Sequence, residues 1–360
     1  MSSGIQAIRR AFPFLAENLY FNTAAVGLCP DGFGAAAAHY FDEIRSRGYT
    51  ARRLWRDFEH DTAHRLARLL EVPREDVSFT SSTTEALNLV ARSLRLSPGD
   101  RVVFAADDFP SVRLAWEGWR RAGVDLVSLP IADETRRTDA LAAAVDARTK
   151  VLCVSHVHWN TGTRLDLPRL AAACSRHGAL LVVDGAQAVG AVEVDASCAD
   201  VYAGPTFKWL LADFGLGFLV VRRELRERLE PVFLGYANEP PARSLRYSHL
   251  NHSAIGMLGR SLEYLESVGW PLVLGRVAAL ADRLSTGLDA AGWRVLTPRD
   301  RRAGIVSIAH AEPGVLTARL EERRCFAEPR EGLVRFSTHF YNSEEDVDRL
   351  LDLLEQVRRR

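Results

Sequence analysis

The run "KVLCVSHVHWNTGTRLDLPRLAAACSRHGALLVVDGAQAVG", residues Lys150–Gly190, decides how the chain is built. It opens on "KVLCVSHV", an apolar stretch of strand character, passes through the helical period of "LPRLAAACSRHG", and closes on a second apolar stretch, "ALLVVDG". A strand that returns to the same sheet after a helix lies parallel to the first. The same alternation recurs upstream, where "DVSFTSS" precedes "TEALNLVARSL" and "DRVVFAA" precedes "SVRLAWEGWRRAG". The pattern predicts an α/β fold: a mainly parallel sheet sandwiched by helices, with ligands beyond the carboxyl ends of its strands.

Helical segments precede this region, roughly Asp31 to Leu70, and two more follow it, near Ser253–Ser267 and Pro271–Ala291. The last part changes character. Strand-like "WRVLT" and "GIVSIAH", helical "GVLTARLEERR", strand-like "GLVRFSTHF" and the helix "SEEDVDRLLDLLEQV" read as a small α+β unit. A boundary near residue 250 is expected, with residues 1–250 forming an N-terminal segment and large domain, and residues 251–360 forming linking helices and a small C-terminal domain. No internal repeat is evident.

The 360 residues carry 46 basic and 46 acidic side chains, a formal net charge of zero, and no basic block stands apart from acids. Neither nucleic acid nor an anionic membrane is indicated as a partner. The first residues lack the apolar core of a signal peptide, and no later run is long enough to span a bilayer, so a cytoplasmic protein is expected. Five scattered cysteines without a C-x-x-C pair indicate neither a disulfide framework nor a metal site.

Lysine occurs only twice, at Lys150 and Lys208. Lys208 sits in the apolar, glycine-punctuated stretch "PTFKWLLADFGLGFLVV", Pro205–Val221. An ammonium can lose its proton when desolvated and become a nucleophile, whereas a guanidinium stays charged. Lys208 is therefore a candidate Schiff-base former, although on that residue alone an accident of arginine-rich usage reads equally well. Within "LLVVDGAQAVG", Leu180–Gly190, a buried strand delivers Asp184 at its carboxyl end. A carboxylate there needs a cationic or hydrogen-bonding partner, and a protonated pyridine nitrogen suits it, while a plain turn cap is the alternative. In "TSSTTEALNLV", Thr80–Val90, Ser82 and Glu85 have capping-box spacing, and the helix start with the Thr83 and Thr84 hydroxyls suits a phosphate.

Together with "YFNTAAVGLCP", "DDFPSVRLAW", "SHVHWNTGTRLD" and "LVRFSTHFYNSEEDVDRLL", these motifs run in order along nearly the whole chain. In that order the chain resembles the class V aminotransferase family of pyridoxal phosphate enzymes, which includes cysteine desulfurases, isopenicillin N epimerase-like proteins and kynureninases. The resemblance implies a seven-stranded sheet in the large domain and a homodimer with shared active sites. It implies that Lys208 holds pyridoxal 5'-phosphate as a Schiff base and moves protons at Cα. Asp184 would pair with the pyridine nitrogen, Gln187 would contact the ring hydroxyl, and Thr83 and Thr84 would bind phosphate. Arg335 would clamp the carboxylate of a small amino-acid substrate, a role that suits a planar two-pronged donor.

The motifs also depart from the family pattern. Phe109 stands where desulfurases stack a histidine, and it can stack without transferring protons. Phe207 replaces a frequent histidine before the lysine, which makes Thr206 the substitute phosphate donor. Trp159 replaces an asparagine near the ring hydroxyl, with His156, His158 and Asn160 beside it. His249 aligns with a threonine that relatives contribute across the dimer interface to the phosphate. Cys325, in "ERRCFAEPREGLVRFS", lies close to a strand and only ten positions before Arg335. A small buried apolar role is preferred for it over a reactive thiol, despite Arg323 and Arg324 nearby. The favoured activity is C–S or Cβ lysis, or epimerisation, on an α-amino acid. A desulfurase using Cys325, a kynureninase-like hydrolase, a true aminotransferase and a non-catalytic scaffold are the alternatives.

Overall fold

The computed structural model describes residues 2–238 and 245–358. Residues 239–244, shortly before His249, lie outside the described residues, as do the last two arginines.

Seven strands form the main sheet: β1 (Val77–Thr80), β2 (Arg101–Ala105), β3 (Asp125–Leu129), β4 (Thr149–Ser155), β5 (Leu180–Asp184), β6 (Val201–Pro205) and β7 (Gly217–Val221). Their order is β1-β7-β6-β5-β4-β2-β3. Only β7 runs against the others, pairing antiparallel with both β1 and β6. The expected parallel core is thus present, while β3, β6 and β7 were not singled out by the sequence reading. In the central strands alternate residues enter different cores. Leu152, Val154, Leu181 and Val183 face one apolar cluster, and Val151, Cys153, Val182 and Val201 face the other. Burial on both faces is why these strands read as unbroken apolar runs.

Helices α1 (Phe33–Arg47) and α2 (Arg52–Leu69) precede the sheet. Helix α3 (Thr83–Ser93) follows β1, and α4 (Leu167–His177) connects β4 to β5. After the sheet come α5 (His252–Val268) and α6 (Trp270–Ala290), separated by Gly269 at a positive φ of 94°. A three-stranded antiparallel sheet then combines β8 (Ile305–Ala309), β9 (Glu328–Arg330) and β10 (Leu333–Ser337) in the order β9-β10-β8. Helices α7 (Pro313–Glu321) and α8 (Glu344–Arg358) pack with α6 over this sheet. The chain's beginning joins the same unit, because Leu19–Tyr20 pairs parallel with Cys325–Phe326 and Phe21 belongs to its core.

Two expected elements differ. "WRVLT" makes only an isolated bridge, Val295 to Ile308, because the Ser307 N–H goes to the Thr297 hydroxyl at 3.0 Å. "SVRLAWEGWRRAG" divides into two short helices, Pro110–Leu114 and Glu117–Arg120, on either side of the fully buried Trp116. Among the described residues no helix is long and apolar enough to cross a membrane.

Candidate active site

The carboxyl ends of β4, β5 and β6 and the N-terminus of α3 converge on a cavity of about 180 Å³. Asp184 ends β5 and lies on its wall, with Gln187 in the following turn. Lys208 and Phe207 enter from the loop after β6. Thr83, Thr84, Phe109 and Trp159 complete the group of expected residues that line this space.

The N-terminus of α3 explains its hydroxyl-rich sequence. Ser82 is the N-cap, and its side chain accepts from the Glu85 N–H at 3.1 Å. Glu85 reaches back to the Ser81 N–H at 2.5 Å, one residue before the expected position. Thr84 and Ser111 hydroxyls meet at 2.8 Å on the cavity wall. These hydroxyls and the first free amides of an eleven-residue helix suit an anion.

Lys208 is partly buried on the cavity wall. Burial pushes its ammonium down to about 8, against the opposing pull of Asp184, and the guanidinium charges of Arg335 and Arg330 add to the fall. Burial raises the Asp184 carboxyl to about 6 despite the Ala186 N–H, which donates to Oδ1 at 2.8 Å, and despite the charge of Lys208. A lysine that is half free base at about pH 8 beside an acid in search of a cation is a reactive pair. Lys208 Nζ also lies 5.9 Å from the Phe109 ring centre and 5.6 Å from that of Phe207.

Arg335, on β10, is 2% exposed. Its Nη1 donates to the Trp159 carbonyl at 2.7 Å, while Nε and Nη2 have no hydrogen-bond partner among the described residues. Burial and the neighbouring Arg330 charge push its guanidinium down to about 10. Two unmatched N–H directions on a buried cation would be costly without an acceptor, and a carboxylate would supply two.

Three expected residues are not on the cavity wall: Arg335 meets it only through the Trp159 carbonyl, while Thr206 and His249 stand apart. Thr206 is fully buried, and its hydroxyl donates to the Asp213 and Leu216 carbonyls of its own loop, so its single proton is already committed. His249 lies in a neighbouring groove with Ser81, Glu85 and Tyr247, with its ring 5.0 Å from that of Tyr236. Of the flanking residues, His156 is buried against the Tyr202 hydroxyl and its imidazolium is pushed down to about 3 by burial. His158 contacts Thr161 and the Asp107 carbonyl. Asp107, Glu134 and His158 are close enough to share a cation, but the buried Arg137 guanidinium already pairs with both carboxylates.

Arg330 went unnoticed in the sequence. Its guanidinium stacks on Trp159 at 5.1 Å and pairs with Glu328 at 3.1 Å. The hairpin register sets Glu328 opposite Arg335, which puts residues 328, 330 and 335 on one face. The spacing of Glu328 and Arg330 was the available signal, but it has no meaning until the turn is placed.

Cys325 is fully buried in the ladder with Leu19, and burial pushes its thiol up to about 12. This is the surrounding of an inert thiol. Cys29 is the exposed cysteine, and partial burial together with the Asp213 charge raises its pKa as well. Cys325→Ser is expected to leave the rate of sulfide release from a sulfur-containing substrate within twofold of wild type. A loss of release at unchanged thermal stability would instead make Cys325 the sulfur acceptor.

Comparison with known proteins places these features in context. Residues 20–350 match the family model described as aminotransferase class-V. The chain is 31% identical to isopenicillin N epimerase of Streptomyces clavuligerus, over 81% of this chain and 82% of that one. It is 27% identical to a probable cysteine desulfurase of Methanothermobacter thermautotrophicus, over 97% of each. Among solved structures, the apo cysteine desulfurase of Thermococcus onnurineus superposes with a TM-score of 0.89 at 25% identity, covering 98% of this chain and 97% of that one.

Proposed function

The chain belongs to the class V aminotransferase family of pyridoxal phosphate-dependent enzymes, and from that premise we propose that it acts on a small α-amino acid by C–S or Cβ lysis or by epimerisation. The observation that carries this reading is the buried Arg335 guanidinium with two open N–H donors, within electrostatic reach of Lys208 on the cavity wall. A cation built for a carboxylate beside an amine built for a carbonyl describes an amino-acid site.

The residues present fit the cofactor. Lys208 would bind it covalently, Asp184 would pair with its ring nitrogen, and Thr83, Thr84 and the start of α3 would hold its phosphate. When bound, pyridoxal phosphate supplies an electron sink that stabilises negative charge at the substrate's Cα. Arg335 orients the substrate carboxylate, and Phe109 and Trp159 exclude water from that side of the cavity. Of the cavity's lining side chains only Lys208 and Asp184 titrate near neutral pH, and Asp184 is committed to the ring. Proton movement at Cα therefore falls to Lys208.

A histidine acid in place of Phe109 and an accessible thiolate in place of Cys325 would favour a desulfurase; the buried Cys325 counts against that reading. The test is a substrate screen on the cofactor-loaded protein, assaying sulfide, ammonia, keto acid and inverted amino acid. Ammonia with keto acid, with or without sulfide, supports lysis, and inversion supports epimerisation. Accumulation of the amine form of the cofactor with stoichiometric keto acid would make it a transaminase instead.

A homodimer with shared sites belongs to the same proposal. His249 lies outside its own chain's cavity, and Phe214, Phe233, Leu234 and Tyr236 expose apolar surface. Mixed Lys208→Ala and His249→Ala chains, each inactive alone, are expected to recover activity toward half of wild type per mixed dimer, because one site would carry both lesions and the other none. No recovery with subunit exchange verified would exclude a role for His249 across the interface.

A further inference from the structure

The side-chain amide of Gln187, on the wall of the Lys208 cavity, is held at both ends. Trp209 Nε1 donates to Gln187 Oε1 at 2.8 Å, and Gln187 Nε2 donates to the Ala24 carbonyl at 3.0 Å. An indole N–H can only donate and a backbone carbonyl can only accept, so the two partners permit a single orientation of the amide. The oxygen is turned to Trp209. The second N–H of Nε2 and one lone pair of Oε1 are what the amide has left, and the N–H is its one remaining donor.

Trp209 is itself clamped. Its carbonyl accepts from His339 Nε2 at 3.1 Å, and its indole stacks on the His339 ring with centres 5.7 Å apart. That ring stacks in turn on Tyr341 at 4.8 Å and 7°. The Tyr341 and Thr23 hydroxyls meet at 2.5 Å, one residue before the Ala24 carbonyl that receives Gln187. Phe340 N–H donates to His339 Nδ1 at 2.8 Å, which leaves the imidazole proton on Nε2. Burial holds the imidazolium pKa down to about 4, so that tautomer persists at neutral pH. A Cβ at Gly304 would lie 2.5 Å from Trp209 Cη2, so the indole has no room to rotate there.

We propose that Trp209 and His339 are positioning residues that make Gln187 present an N–H, and never its carbonyl, to the oxygen on the cofactor ring. The proposal rests on the pyridoxal phosphate reading above. Nitrogen donors among the cavity's lining side chains are Trp159, Gln187 and Lys208. Trp159 Nε1 is already donated to the Asp107 carbonyl at 3.0 Å, and Lys208 is used in the covalent link. Of these nitrogens Gln187 alone keeps an N–H to meet that oxygen where relatives supply an asparagine, and the lining hydroxyls of Thr83 and Thr84 are those assigned to the phosphate. An N–H aimed at the oxygen favours its anionic form and weakens its hold on the proton shared with the nitrogen of Lys208. That proton then leaves at a lower pH.

The experiment is a pH titration of the visible absorbance of the cofactor-loaded wild type, Trp209→Phe and Gln187→Met proteins. Trp209→Phe keeps a ring to stack on His339 and deletes the N–H together with part of the indole, so thermal stability is measured beside the midpoint. In both variants the midpoint is expected to move up by about one unit, a tenfold change in proton affinity, with the cofactor still linked. A merely structural Trp209 would lower thermal stability or cofactor retention and leave the midpoint in place. An unchanged midpoint in Gln187→Met overturns the proposal whatever Trp209→Phe does, and a shift in Gln187→Met alone removes Trp209 from it. If the wild type develops no visible band, the cofactor reading fails and takes this proposal with it.

Discussion

Lys208→Arg protein incubated with pyridoxal phosphate is expected to stay without the visible band that the wild type develops, and Lys208→Ala is expected to behave alike. Both should lose turnover by at least roughly 10²–10⁴-fold, the range contributed by a single positioned proton-transfer group, before the lost covalent link is counted. The reason is the surrounding of the residue. Desolvation brings the Lys208 ammonium down to about 8, so about a tenth is free amine at pH 7, far more than an ordinary lysine supplies. That amine would bond to the cofactor's aldehyde carbon with loss of water. A guanidinium in the same place keeps its charge and has no lone pair to offer. For the wild type, deprotonation favours attack, so the rate at which the band appears should rise with pH through about 8 and level off above it. A Lys208→Arg protein that formed the band at the wild-type rate would remove Lys208 from the chemistry.

The second large effect is expected at Arg335. Arg335→Lys keeps a positive charge but replaces a planar fork by a point, and the two open donors Nε and Nη2 cannot both be reproduced. Losing one charge-assisted hydrogen bond costs roughly 1.5–3 kcal/mol, about a tenfold to hundredfold weakening of substrate binding. Cofactor affinity should change little, because Arg335 is not among the residues that line the Lys208 cavity. Substrate titrations followed by absorbance measure the two affinities separately. Equal losses in both would mean that Arg335 supports the whole cavity rather than the substrate carboxylate.

The sequence shows most plainly those features whose cause is local. Strands β4 and β5 were legible because burial on both faces demands an unbroken apolar run, and the helix start at Ser82 because capping needs particular side chains within four residues. Asp184 and Lys208 stood out as ionisable groups placed where ionisation is expensive. Thr206 was misread because a threonine hydroxyl readily satisfies its own loop's backbone, here the Asp213 and Leu216 carbonyls. Arg330 depends on a hairpin register that its own residues do not announce. The orientation of Gln187 is set by Trp209, 22 positions later, and by Ala24, 163 positions earlier, a combination that exists only once the sheet and the N-terminal segment have met.

The most direct test of the central claim uses the scarcity of lysine. The chain has only Lys150 and Lys208, and Lys150 is exposed on β4. Protein loaded with pyridoxal phosphate is reduced with borohydride, digested, and its peptides are mapped by mass spectrometry. The expected result is a stoichiometric phosphopyridoxyl group on the peptide carrying Lys208 and none on Lys150. Label confined to Lys150, or no label on a folded protein exposed to excess cofactor, would contradict the assignment of Lys208 as the residue that holds the cofactor.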